Sequence, residues 1–185
     1  MADREHYAPG PATGAQIKKD GETWTLVVVR ELRHSPEHVW HAITDPAHLR
    51  EWAPFEADAS LGTVGAKVKL TTVGAPQTHV TETMVTLADP PKVLAYNWGG
   101  NHMRWELEAI SGGTRLMLWH NIDRRFISMG AAGWHICFDV LDRFVSGTPI
   151  GRMVGSDAIK FGGFQRLNLE YAKQFGVEPP NLSKQ

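Results

Sequence analysis

Apolar positions recur with helical spacing early in this chain, with period two through its middle, and with helical spacing again near its end. In "TWTLVVVRELR", positions 23–33, Trp24, Leu26, Val28, Arg30 and Leu32 share one face, and that face is the expected core side of a strand. Positions 35–52, "SPEHVWHAITDPAHLREW", then change period. Ser35 and Asp45 each precede a proline, the arrangement of an N-cap followed by a first helical residue that needs no N–H. Val39, Trp40 and Ile43 form one stripe and Leu49 and Trp52 another, and Pro46 forbids a single continuous helix. Two short helices with a bend are predicted.

From position 56 to 122 alternating runs are separated by "ADPPK", "GGN" and "SGG", the pattern of antiparallel hairpins. With Gly112-Gly113 as a two-residue loop, Leu107 opposes Leu118 and Trp105 opposes His120. Either Gly99-Gly100 or Gly100-Asn101 as the other loop gives the same parity. One face then collects Leu94, Tyr96, Trp98, Met103, Trp105, Leu107, Ala109, Leu116, Leu118, His120 and Ile122, with Thr83, Val85 and Leu87 added across "ADPPK". The opposite face carries Glu82, Asn97, Arg104, Glu106, Glu108, Arg115 and Asn121, so the sheet is expected to be covered on one side only. In "AAGWHICFDVLDRFVSG" an amphipathic helix over about 130–146 presents Trp134, Cys137, Phe138, Leu141, Phe144 and Val145, with His135, Asp139, Asp142 and Arg143 off that stripe. A last helix is predicted over about 157–175, its start broken or bent at Gly162-Gly163. Residues 1–21 read as a flexible arm, 22–176 as a single domain and 177–185 as a loose tail.

This order specifies an α+β fold. A curved antiparallel sheet wraps a long C-terminal helix, the two short helices after the first strand plug the open end, and an interior space is left between sheet and helix. This order and the stretches "SPEHVWHAITDPAHLREW", "DPPKVLAYNW", "GGTRLMLWH" and "AAGWHICFDVLDRFVSG" resemble the START-like (SRPBCC, helix-grip, birch-pollen-allergen-like) superfamily. Within it the chain resembles, over about residues 24–147, the family named after the C-terminal domain of the activator of heat-shock protein 90 ATPase. The resemblance implies the helix-grip fold and an apolar ligand in its cavity. Relatives in the superfamily cyclise polyketides or bind lipids and plant hormones, and the co-chaperone that names the family regulates a chaperone ATPase.

Composition narrows the chemistry. The 185 residues are 42% hydrophobic, enough for a substantial core, and the net charge of −1 argues against a nucleic-acid partner, which needs a basic excess. The single Cys137 excludes an intrachain disulfide. No apolar run reaches the roughly 18 residues of a membrane span, and "MADREHYAPGPATG" lacks a signal peptide's apolar core, so a cytoplasmic protein is expected. Glycine-rich phosphate loops are absent and no cofactor is expected.

His120, on the aromatic face, is the weak catalytic candidate, as a general acid or base; His79 could share its face. Cys137 sits on the buried stripe and reads as packing. His34, His38, His41 and His48 cluster in sequence, and His38 and His41 could pinch an ion with Asp45 or Glu37. They lie opposite Trp40 and Ile43, on an expected solvated face, so no metal site is assigned. The expected ligand wall is Tyr96, Trp98, Met103, Trp105, Leu118, His120, Trp134, Phe138 and Leu141, with Thr83 and Arg30 as further polar groups able to orient a ligand. Binding of a small hydrophobic or aromatic molecule is the leading expectation. A cyclase- or hydratase-like enzyme using His120 and a chaperone ATPase-regulating module are the alternatives.

Overall fold

The computed structural model describes residues 2–182. Ser35 Oγ accepts from His38 N and Asp45 Oδ1 accepts from Ala47 N and His48 N, so both predicted caps form, opening α2 (Pro36–Thr44) and α3 (Pro46–Trp52). Trp52 is fully buried at the corner between them, its indole N–H donating to Ala42 O at 3.0 Å.

These helices follow α1 (Ala2–Glu5), β1 (Ala15–Asp20) and β2 (Thr23–Leu32). After them come β3 (Phe55–Ala57), β4 (Lys67–Thr72), β5 (His79–Met84), β6 (Leu87–Asp89), β7 (Val93–Trp98), β8 (Asn101–Ile110) and β9 (Gly113–Asn121). A 3-10 turn (Arg124–Phe126) leads into α4 (Ile127–Val145), then α5 (Gly155–Lys160) and α6 (Gly162–Phe175). The strands make an antiparallel six-stranded sheet, β1-β2-β9-β8-β7-β6, and a three-stranded sheet, β3-β4-β5. The α+β helix-grip architecture is therefore present, with α4 as the gripped helix. No helix among the described residues is long and apolar enough to cross a membrane.

The predicted faces hold where the register does not. The β8–β9 loop is Ser111-Gly112, because Ile110 pairs with Gly113. Leu107 therefore opposes Leu116, Trp105 opposes Leu118 and Met103 opposes His120, two residues away from the expected pairing. A slip of two keeps every side chain on its face, whereas a slip of one would invert them. The outer face carries the cross-strand ion pairs of Arg115 with Glu31 and Glu108.

One slip of parity does occur. The run expected to continue to position 87 changes sheets at Val85. Val85 exchanges backbone bonds with Gly65 and Ala66, while Thr86 N donates to Ala95 O. Leu87 then pairs with Ala95, on the other face from Leu94 and Tyr96, and is 37% exposed rather than inward.

The N-terminal segment expected to be a mobile arm is docked. β1 pairs with β2 along its length, and Tyr7 and Ala12 are buried. Arg166 donates to Pro9 O and Gly10 O, Gln174 Nε2 to Ala12 O, and Tyr171 Oη to Thr13 O. These α6 side chains satisfy a Gly- and Pro-rich backbone that carries no periodicity of its own. Docking also buries His135, expected off the apolar stripe of α4. Its Nδ1 lies 2.7 Å from Tyr171 Oη, and Asp139 beside it accepts from Tyr7 Oη and pairs with Arg30. The last predicted helix is two helices, because Phe161 is extended between α5 and α6.

Candidate functional site

A cavity of about 380 Å³ opens where the ends of β7, β8 and β9 face the first half of α4. The strands contribute Trp98, Asn101 and His120, Ile122 follows β9, and α4 contributes Met129, Gly130, Gly133, Trp134 and Cys137. Met153, Val154 and Gly155, with Ala158, Ile159 and Phe164, close it from the C-terminal side. Phe126 and Asp123 lie in the wall too, as does Pro54 after α3.

The structure splits the nine expected wall residues. Trp98, His120 and Trp134 line the cavity. Tyr96, Met103, Trp105, Leu118, Phe138 and Leu141 lie behind it, fully or almost fully buried in a core of interlocking rings. Trp105 packs edge-on to Trp52 at 6.1 Å and to Trp134 at 5.6 Å, and Phe138 lies 6.1 Å from Trp105. These side chains shape the wall from behind without presenting surface to a ligand. α2 and α3 cover that end of the sheet, so the open space is displaced toward the other end.

Sequence reasoning missed the wall's other side. Gly130 and Gly133 lie one helical turn apart in α4. A Cβ on Gly130 would approach Ile122 Cδ1 to 2.6 Å, while one on Gly133 would meet only Phe164 at 3.9 Å. Glycine inside a helix costs about 1 kcal/mol relative to alanine. Two glycines at i, i+3 in the helix were the available signal that this side of α4 is unusual: Gly130 admits Ile122 closely and Gly133 leaves room for the cavity. The lid residues 153–164 carried no such signal, since their placement depends on tertiary docking. Ser156 N donates to Gly74 O, and at Gly155 (φ +59°) a Cβ would run into Gly74. α5 is thereby pinned to the β4–β5 connection.

His120 is the most unusual polar group in the wall. It is 5% exposed, stacked on Trp98 with ring centroids 5.7 Å apart, and its Nδ1 accepts the Trp134 indole N–H at 3.0 Å. Nε2 is buried and has no hydrogen-bond partner among the described residues. Burial pushes the imidazole pKa down to about 4, so it is neutral at physiological pH. With Nδ1 serving as acceptor, the ring proton resides on Nε2. An unpaired buried donor of this kind costs about 1–3 kcal/mol.

Asp123 caps the turn after β9 and holds Arg125 through 3.1 Å and 3.0 Å contacts, so the acidic group at the mouth is paired. Cys137 is in the wall, but burial pushes its thiol up to about 12, leaving it protonated and poorly nucleophilic.

The other candidates lie elsewhere. Arg30 is committed to Asp139 and His135 O. Thr83 Oγ1 accepts from Asn97 N, and His79 is exposed at the end of β5. His34, just before α2, stacks on His38, and His41 of α2 meets His48 of α3 edge-on at 4.6 Å. Among the described residues no group of three or more His, Cys, Asp or Glu side chains is placed to hold a metal ion.

A second, wider groove lies against the cavity and shares Pro54, Trp98, Gly155 and Ile159 with it. It runs between the β4–β5 connection, α6 and the Pro179-Pro180 segment.

Comparison with known proteins agrees with this architecture. A conserved protein of unknown function from Enterococcus faecalis superposes with a TM-score of 0.66 at 18% identity, covering 86% of this chain and 89% of that one. CalU16 from Micromonospora echinospora gives 0.60 at 19% identity, covering 92% and 97%. DynU16, from the dynemicin biosynthetic locus, gives 0.60 at 21% identity and covers 70% of this chain and 50% of its own. These identities show a common fold. No curated protein matches the sequence. Residues 33–146, more than half of the chain, match the family described as Activator of Hsp90 ATPase homolog 1-like protein, and the chain belongs to that family.

Proposed function

We propose that the protein binds a small, largely apolar or aromatic molecule in the cavity between the β7–β9 ends and α4, beneath α5 and α6. The observation that carries this reading is the cavity itself. About 380 Å³ is bounded by Trp98, Trp134, Phe126, Phe164, Ile122 and two methionines, with few polar groups. Small-molecule sites commonly span about 300–1,000 Å³ and have this mix of apolar wall and sparse polar anchors. The origin of one structural neighbour, DynU16, in the dynemicin biosynthetic locus is consistent with it.

The state of His120 weighs against acid–base catalysis. A neutral imidazole whose open nitrogen carries the proton cannot abstract one, and a pKa near 4 leaves almost no imidazolium to act as acid. The chaperone-regulating reading rests on the family's description alone. Stimulation of a cognate chaperone ATPase by the purified protein is its test.

Gly133 provides the test of the binding reading. Gly133 lines the cavity and a Cβ there makes only an ordinary 3.9 Å contact with Phe164, so Gly133→Leu should fill the cavity while favouring the helix. The neutral dye N-phenyl-1-naphthylamine is expected to fluoresce on binding the wild type and to lose at least tenfold in affinity for Gly133→Leu. Equal affinity for both proteins, with both folded, would reject the cavity as the site.

A further inference from the structure

The polar groups of the cavity wall are unevenly matched. Asn101, His120 and Asp123 sit at the strand ends, and the wall contains no lysine or arginine. Asp123 is already engaged by Arg125. His120 is not satisfied: the Trp134 N–H occupies Nδ1 and fixes the proton on Nε2, and Nε2 is buried without a partner. Trp98 covers one face of the imidazole and is itself tethered through Nε1 to Thr72 Oγ1 at 3.0 Å. The wall therefore holds an unpaired donor beside a flat aromatic surface, shielded from the cavity in this structure and reached by a ligand oxygen through a small shift of the ring. It offers no cation to compensate a buried anion, whose desolvation is far more costly than that of a neutral oxygen.

We propose that the cavity selects a neutral aromatic ligand bearing a carbonyl oxygen, which accepts the Nε2–H of His120, over its hydrocarbon counterpart and over an aromatic carboxylate. This rests on the binding reading above and adds the chemistry of the ligand to it. His120 acts here as a specificity-determining donor. Trp134 is a positioning residue, because its N–H sets which imidazole nitrogen carries the proton.

Three bicyclic probes of similar size separate the possibilities at pH 7.5: 1-tetralone, tetralin and 1-naphthoate, titrated calorimetrically into the wild type and His120→Phe. A neutral hydrogen bond is worth about three- to tenfold in affinity. The affinity ratio of tetralone to tetralin is expected to fall by about that factor in His120→Phe, and 1-naphthoate to bind the wild type most weakly of the three. An unchanged ratio, or naphthoate as the tightest ligand, overturns the inference while leaving the binding reading in place. Failure of all three probes to bind removes the binding reading and this inference with it. Should His120→Phe not fold, the ¹⁵N resonances of His120 in the wild type decide. Tetralone must shift Nε2 and tetralin must not; equal shifts overturn the proposal.

Discussion

His120 behaves as it does because two neighbours and its burial remove its usual options. Trp98 stacks on it, Trp134 occupies one nitrogen, and burial withdraws the water that would stabilise its charge. Its pKa of about 4 lies below the 6.5 of an unfolded chain. As pH falls below about 6.5 the unfolded state takes up a proton that the folded state refuses, so stability drops until pH reaches about 4. The gap corresponds to about 3 kcal/mol, fully present above pH 6.5 and lost at the acid end. Urea unfolding at pH 7.5, 6 and 5 should show this decline, and His120→Phe should flatten it. Buried His135 and half-buried His48, whose pKa values are also lowered, add a residual slope of the same sign. An undiminished slope in the variant would contradict the assignment. The presence of His120 on the inner face follows from strand parity. Its hydrogen-bond state does not, because the Trp134 indole arrives from another element.

At the scale of elements, local signals were clearest where backbone chemistry is local. Ser35 and Asp45 cap within three residues of themselves, and Pro36 and Pro46 fix their helix starts. Face parity along β7, β8 and β9 is likewise local, and it survived a two-residue error in loop placement. Parity failed at Leu87, where Val85 bonds one sheet and Thr86 the other, a decision made by partners distant in sequence. The start of α5 is of this second kind. Gly155 combines a left-handed backbone with close packing on Gly74, so Gly155→Ala should cost at least the roughly 1–2 kcal/mol of the strained backbone and loosen the lid. Gly10→Ala, with open space around it and no positive φ, serves as the control and should be near neutral. Thermal unfolding with limited proteolysis of residues 155–175 reads both. Equal behaviour of the two variants would mean that the Gly74–Gly155 contact does not hold α5 in place.

Across the whole molecule, the N-terminal segment and α6 together convert a one-sided grip into a helix enclosed on nearly every face. Ala131, Ala132, Ile136 and Val140 of α4 are as buried as its predicted stripe. Between these layers lies a polar strap of Tyr7, Arg30, Asp139, His135 and Tyr171, closed by the 2.6 Å bond from Tyr7 Oη to Asp139. Asp139 keeps Arg30 when Tyr7 is lost, so Tyr7→Phe should cost only about 1–2 kcal/mol. It should also speed protease cleavage within residues 2–14, seen by mass spectrometry of the fragments. Unchanged stability and cleavage would show that the segment is held by β1 and α6 alone.

The sequence by itself determined the fold class, the two capped helices and the inner and outer faces of the sheet, since each depends on periodicity or on contacts within a few residues, and its ordered motifs carried the family resemblance. It placed His120, Trp98 and Trp134 on the surfaces that meet. Only the tertiary structure decided where the interior is filled and where it is open. Ring packing around Trp52, Trp105 and Phe138 makes one end of the expected wall solid, and Gly133 leaves room at the other. The physical reason is that periodicity reports which side of an element avoids water, whereas a cavity is what remains after side chains from elements far apart in sequence have met.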